Sequence, residues 1–315
     1  MRDRFTIVSF GEVLWDLLPT GPVLGGAPFN FAYRATTTFG HRALIASRLG
    51  ADENGRRAFA RVAELGMETV LIQRDPARPT GTVPVTFDAA GHHDFTILPD
   101  VAYDFIEPDQ ALLHEVAAAD CFCYGTVASR SEVSRATLKE LLAAYRGPFA
   151  LLDLNLRKDC WSDAQVTASI EGADILKLND QELLTVDRIF GLAGETPAQK
   201  AAGLVSATSL RCVVVTLGEG GAFAVSREGD TIYEPAFAVT PVDTIGSGDA
   251  FTAGFIDALL SHRSLAEALR QGNALGALVT GHRGATEPLA PGALEAMLAT
   301  GRRLPRDLRF PATAG

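Results

Sequence analysis

The stretch Asp243-Thr244-Ile245-Gly246-Ser247-Gly248-Asp249-Ala250-Phe251-Thr252-Ala253-Gly254-Phe255 joins a small, glycine-rich front half to a back half with apolar residues at Phe251, Phe255, Ala258 and Leu259. That spacing is helical, so a glycine turn feeds a helix N-terminus. The first amides of a helix lack partners within it, and the helix dipole adds partial positive charge there. Such a turn accepts anions, a transferring phosphoryl group among them. Gly246 and Gly248 carry no Cβ, so phosphate oxygens can come close to the backbone. Asp249 stands at the mouth of this site. A carboxylate beside an anion hole opposes phosphate binding unless it has another task. Taking the proton of an attacking hydroxyl is such a task, worth about 10²–10⁴ in rate. Capping the helix is the competing reading. Other glycine motifs fail. Phe251 fills the third small position of a dinucleotide fingerprint, no G-x-x-x-x-G-K-[ST] loop occurs, and Ile245 replaces the first glycine of a G-x-S-x-G elbow.

The elements that must position this turn alternate in type. Strands are expected at Thr6 to Phe10, Ala43 to Ala46, Cys121 to Tyr124, Phe149 to Leu154, Ile175 to Leu178 and Arg211 to Leu217. Helices are expected from Pro28 to Phe39, from Glu53 to Leu65 behind an Asp52 cap, near Glu132 to Tyr145 and near Ala164 to Ile170. Strand and helix in turn argue for an α/β fold on a mainly parallel sheet. Gly81 to Asp88 breaks the rhythm. It alternates with period two, turns at Ala90-Gly91 and continues as His92 to Leu98, a hairpin expected to join residues near Val13 to Val23 in a small antiparallel lid. His92 and His93 on that hairpin read as exposed rather than ligating, and Phe310 to Gly315 reads as a loose tail.

Composition bounds the function. With 315 residues, 47% of them hydrophobic, the chain can bury a large core, and a formal net charge of −10 disfavours nucleic acid as a partner. No apolar run approaches the roughly 20 residues of a membrane span. Cys121, Cys123, Cys160 and Cys212 lack zinc or thioredoxin spacing; Cys121 and Cys123, on one face of a strand, read as buried core residues, and the setting as reducing and cytoplasmic.

Residues 243–249 resemble the D-T-x-G-A-G-D signature of ribokinase-like (PfkB-type) carbohydrate kinases, with Ser247 in the place of alanine. Gly25-Gly26-Ala27-Pro28-Phe29-Asn30 resembles the G-G-x-x-x-N signature of that family. Lys177-Leu178-Asn179-Asp180-Gln181-Glu182, in which Lys177 is given no role, is similar to its N-x-x-E motif, and Val215 to Ala222 to its nucleotide turn. The four blocks stand in family order. The resemblance implies one three-layer, doubly wound domain over 1–315 with lid segments at about 12–24 and 80–102. It implies transfer of the γ-phosphoryl of ATP to a sugar hydroxyl, with Asp249 as base and the amides of Gly246, Ser247 and Gly248 as anion hole. Asp16, Gly26 and Asn30 would hold the sugar. Asn179 and Glu182 would organise Mg²⁺ near the nucleotide phosphates, Thr216 and Gly218 would contact those phosphates, and Asn273 would lie near adenine. Carbonyls near Asp243 and Ile245 would bind a monovalent cation such as K⁺. A homodimer through the lid is compatible with an exposed strand edge.

Each position has a plainer alternative: a strand-end carboxylate at Asp16, helix caps at Asn30 and Glu182, ordinary strand and surface roles at Thr216 and Asn273. Asp153 to Trp161 resembles the D-x-N-x-R…W pattern of fructokinase-like and 2-keto-3-deoxygluconate kinase-like members. There Arg157 would steady phosphate or substrate, or form a structural ion pair. With Gly11 to Asp16 and the Gly-Gly-Ala-Pro start, this favours D-fructose over 2-keto-3-deoxygluconate, ribose or a nucleoside. A non-catalytic sugar or nucleotide sensor is the reading from another class.

Overall fold

The computed structural model describes residues 4–18, 21–87 and 93–310. The turn expected at Ala90-Gly91, His92 and the tail from residue 311 onward lie outside the described residues. The chain divides into two compact units, residues 4–150 with 155–165, and residues 151–154 with 166–315.

In chain order the elements are β1 (Thr6–Phe10), β2 (Leu14–Leu18), β3 (Gly21–Gly25), α1 (Ala27–Phe39), β4 (Arg42–Gly50), α2 (Glu53–Glu64), β5 (Ile72–Asp75), β6 (Thr82–Phe87), β7 (His93–Phe95), α3 (Gln110–Ala118), β8 (Cys121–Tyr124) and α4 (Glu132–Ala144). Then follow β9 (Phe149–Asp153), α5 (Asp163–Glu171), β10 (Ile175–Asn179), α6 (Asp180–Phe190), α7 (Pro197–Ala207), β11 (Cys212–Thr216), β12 (Ala222–Ser226), β13 (Thr231–Glu234), α8 (Ser247–Leu260), α9 (Leu265–Thr280) and α10 (Ala293–Thr300). The class is α/β, with a mostly parallel central sheet of nine strands.

In the first unit β8, β1, β4 and β5 run parallel in that order. Strand β8 is buried at all four residues, both cysteines included, which is why its sequence is apolar throughout rather than alternating. All four cysteines are free and buried, as expected for Cys121 and Cys123. The small second sheet has the order β3-β2-β6-β7. Its outer pairs, β2 with β3 and β6 with β7, are antiparallel; the β2–β6 pairing that joins them is parallel.

In the other unit β9, β10 and β11 are parallel, and β12 and β13 extend the sheet antiparallel. Helix α8 is buried on nearly every face, with only Ser247, Gly248, Asp249 and Leu259 outside its buried set. Helix α9 can pack closely against it because glycines stand where the two meet. A Cβ on Gly272 would come within 2.9 Å of the Phe251 ring, one on Gly276 within 3.1 Å of the Ser247 carbonyl, and one on Gly254 within 3.0 Å of the Gln271 carbonyl. Phe310 is no loose tail. It is buried and stacks on Tyr233, ring centroids 4.9 Å apart, and beside Phe223.

Gly272→Val should therefore force α9 off α8. Overpacking of this kind costs about 1–3 kcal/mol, read as a lower urea midpoint at unchanged slope; an unchanged midpoint would contradict the close approach.

Candidate active site

Helix α8 begins at Gly246, whose φ of 78° is left-handed. A Cβ there would meet a strained backbone and run into the Cβ of Ala285, so only glycine fits. Ser247 closes the turn. Its hydroxyl donates to the Thr244 carbonyl at 2.8 Å and its amide to the same oxygen at 3.2 Å. The Ser247 amide expected to stand open to an anion is thus turned into the loop in this conformation. Asp243 anchors the approach, accepting from the Ile245 amide and the Gly284 amide, each at 3.0 Å. Asp249 lies in the first turn of α8, half-buried.

The turn opens on a cavity of about 320 Å³. Five residues singled out from sequence line it: Thr216, Gly218, Ser247, Gly248 and Asn273. Sequence reasoning gave no signal for its apolar walls, Phe237, Val239 and Leu304, which stand on irregular segments where periodicity is silent. Thr216 ends β11, and Gly218 follows in a short 3-10 turn at φ 58° with open space where a Cβ would stand. Asn273 is buried and donates its side-chain amide to the carbonyls of Glu234 and Pro235, at 2.9 and 3.3 Å, so it braces the end of β13 as well as facing the cavity.

Asn179 and Glu182 form a reciprocal cap on α6. The Asn179 amide donates to Glu182 Oε2 and the Glu182 amide to Asn179 Oδ1, both at 2.8 Å. Neither lines the cavity. Among the described residues no group of three or more His, Cys, Asp or Glu side chains could hold a metal ion.

Sequence reasoning passed over Lys177. It stands on β10 between Leu176 and Leu178 with 7% exposure, and its Nζ lies 2.9 and 3.2 Å from the two carboxylate oxygens of Asp153, its register partner on β9. Burial pulls its ammonium down, but the charges of Asp153, Glu182 and Asp249 and the bond to Asp153 outweigh this and hold it above its ordinary value. A lone lysine in an inner-strand run was the available signal, since buried charge needs a partner.

The first unit carries the remaining positions. Gly26 precedes α1 at φ 115°, and a Cβ there would strike the Glu12 carbonyl. Glu12, a residue without a predicted role, accepts from the Ala27 amide at 3.1 Å, and Asn30 is buried on the first turn of the same helix. Asp16 sits on β2 over Gly25, where a Cβ would come within 2.6 Å of its Oδ2. Burial pushes the Asp16 carboxyl up to about 6, and the Arg157 guanidinium pulls it the other way. Arg157 is exposed in the loop after β9, two residues beyond Asn155, whose φ is 45°.

The fold and this turn define a phosphotransferase of the α/β class. Residues 21–291 match the pfkB family carbohydrate kinase domain, and the chain belongs to that family. It is 30% identical to probable fructokinase-3 of Arabidopsis thaliana over 94% of this chain and 91% of that one. It is 31% identical to the fructokinase of Klebsiella pneumoniae, covering 89% and 94%. Fructokinase from Vibrio cholerae O395, solved with fructose, ADP and a calcium ion, superposes with a TM-score of 0.78 at 25% identity, covering 93% of this chain and 99% of that one. A doubly substituted form of that enzyme was solved with fructose, ADP and a potassium ion. Among the described residues no helix is long and apolar enough to cross a membrane.

Two outcomes follow. Gly246→Ala should unfold at lower temperature than the parent, since both its φ and Ala285 oppose the methyl group; an equal melting temperature would refute the left-handed turn. Asp16 favours its protonated form in the fold. Its stabilising contribution is full below its ordinary value of 3.8 and is lost as pH rises through about 6. From pH 4 to 7 the melting temperature of the parent should therefore fall relative to that of Asp16→Asn, and the opposite slope would overturn the assignment.

Proposed function

We propose that this carbohydrate kinase transfers the γ-phosphoryl group of ATP to a primary hydroxyl of a monosaccharide, D-fructose first among them, and that residues 1–315 act as one catalytic domain. The observation that carries the reading is the glycine-only turn at Gly246, which opens helix α8 beside a cavity with Asp249 in the first turn. Fructose is favoured because the two fructokinases quoted above cover nearly the full length of this chain.

In this reading the cavity holds the nucleotide, with Thr216, Gly218 and Ser247 toward its phosphates and Asn273 and the apolar wall toward the base. The amides of Gly246 and Gly248 face the migrating phosphoryl group, where preorganised donors cost no reorganisation during reaction, while that of Ser247 is held by the Thr244 carbonyl. Asp249 receives the proton of the sugar hydroxyl. Asp16, Gly26, Asn30 and Arg157 hold the sugar, and the small sheet keeps water from competing as acceptor. Glu182 would organise Mg²⁺ bound with the nucleotide, whose charge would offset that of the phosphates, and the carbonyls of Asp243 and Ile245 would hold K⁺ beside the turn. The reduced cysteines fit the cytoplasm. Strand β3, outermost in its sheet, with Val23 exposed, offers an edge through which two copies can pair.

The test is ADP release, coupled to an optical signal, over a panel of D-fructose, 2-keto-3-deoxygluconate, ribose and nucleosides, with and without Mg²⁺. Fructose should give the highest kcat/KM. A keto acid or nucleoside ahead of it would replace the substrate, and no turnover with any sugar would favour a sensor. Asp249→Ala should keep its fold and lose about 10²–10⁴ in kcat; a near-normal rate would refute Asp249 as the base.

A further inference from the structure

Lys177 is buried on an inner strand beside the turn that opens α8. An ammonium on an inner strand is costly to bury, and one carboxylate with good geometry is the usual compensation. Asp153 supplies it through both oxygens, at 2.9 and 3.2 Å. The Thr252 hydroxyl lies 2.7 Å from Asp153 Oδ2 and 3.0 Å from the Gly248 carbonyl, so Asp153 is itself fixed from α8. Yet Glu182 and Asp249 also act on the same ammonium, and one side of it reaches the anion turn: a Cβ on Gly248 would stand 3.2 Å from Lys177 Nζ. Gly248 thus leaves room for a cation as well as for a ligand.

We propose that Lys177 is a catalytic residue of the phosphotransferase, its ammonium meeting the negative charge of the phosphoryl group as that group passes over the Gly246–Gly248 turn, with Asp153 and Thr252 as its positioning residues. This rests on the kinase reading above. In the step, the bond from the γ-phosphorus to the β,γ-bridging oxygen breaks and its electron pair stays on ADP. A bond forms from the sugar oxygen to the same phosphorus, and the hydroxyl proton goes to Asp249. Lys177 neither gains nor loses a proton; it supplies fixed charge where charge is redistributed, and it keeps its place because Asp153 holds it from below.

The test compares the parent with Lys177→Met/Asp153→Asn, which removes both charges together so that no carboxylate is left buried alone, and with Asp249→Ala. Melting temperature and steady-state rates with Mg-ATP and D-fructose are measured for each. The double variant should melt within a few degrees of the parent. Its kcat should fall about 10²–10³-fold, the usual loss on removing one such donor, while its KM for sugar stays within about threefold. Lys177→Ala adds a second measurement: ethylammonium in the buffer should raise its rate in a saturable manner, which a purely structural lysine would not predict at unchanged melting temperature. A folded double variant with kcat within about fivefold of the parent, or a folded Lys177→Ala that does not respond to the amine, overturns the inference. If the parent turns over and Asp249→Ala does not, such a result removes Lys177 alone; if the parent transfers phosphate to no sugar, the kinase reading itself falls.

Discussion

The start of helix α8 is the constraint on which its own unit depends. Gly246 must be left-handed and must lie against Ala285, and the helix that follows is buried on almost every face. A helix so enclosed cannot slide to relieve strain, because α9 meets it through Gly272 and Gly276 at distances that admit no larger side chain. The carbonyl of Ser247 is one of the atoms Gly276 makes room for, so the packing of two helices and the shape of the phosphate turn are a single arrangement. Asp243 ties the preceding loop to Gly284 and completes it.

Charge has to be placed locally in this protein. A chain with a formal net charge of −10 repels a nucleotide on average, so attraction must come from a few oriented groups. The N-terminus of α8 is one source. The ammonium of Lys177, buried among apolar neighbours on β10, is another, and low local polarity makes its field count for more than that of a surface lysine. Its partner Asp153 lies opposite it in the β9–β10 register, so the sheet itself fixes where that charge can be.

The first unit solves a different problem, holding polar groups at a strand–helix junction. Glu12 reaches the Ala27 amide at the head of α1, Gly26 leaves space for the Glu12 backbone, and Gly25 leaves space for the Asp16 carboxylate. Gly25 and Gly26 are thus small, and Glu12 and Asp16 acidic, for complementary reasons. Burial of Asp16 and the opposing charge of Arg157 leave that carboxyl near the point where it changes state in mildly acidic solution.

Much was legible in the sequence because the causes were local. Asp52 caps α2 through the Gly55 amide, as its position before an amphipathic run predicts, and the strands from β1 to β11 that were expected lie within a residue or a few of their predicted bounds. The glycines of the phosphate turn announced it because backbone conformation restricts residue type directly. The outer strands β12 and β13 and the helix α3 were not anticipated, since short segments of mixed polarity carry little periodicity. The parallel β2–β6 pairing was equally out of reach, as register between distant strands is not written in either one. The chain alone determined that residues 246–249 make a glycine turn into a helix. Only tertiary structure decided that Phe237 and Leu304 wall the adjoining cavity and that Lys177 and Asp153, 24 residues apart in the chain, meet under Gly248. The physical reason is that a turn is fixed by its own dihedral angles, whereas a buried ion pair exists only where two strands bring its halves together out of water.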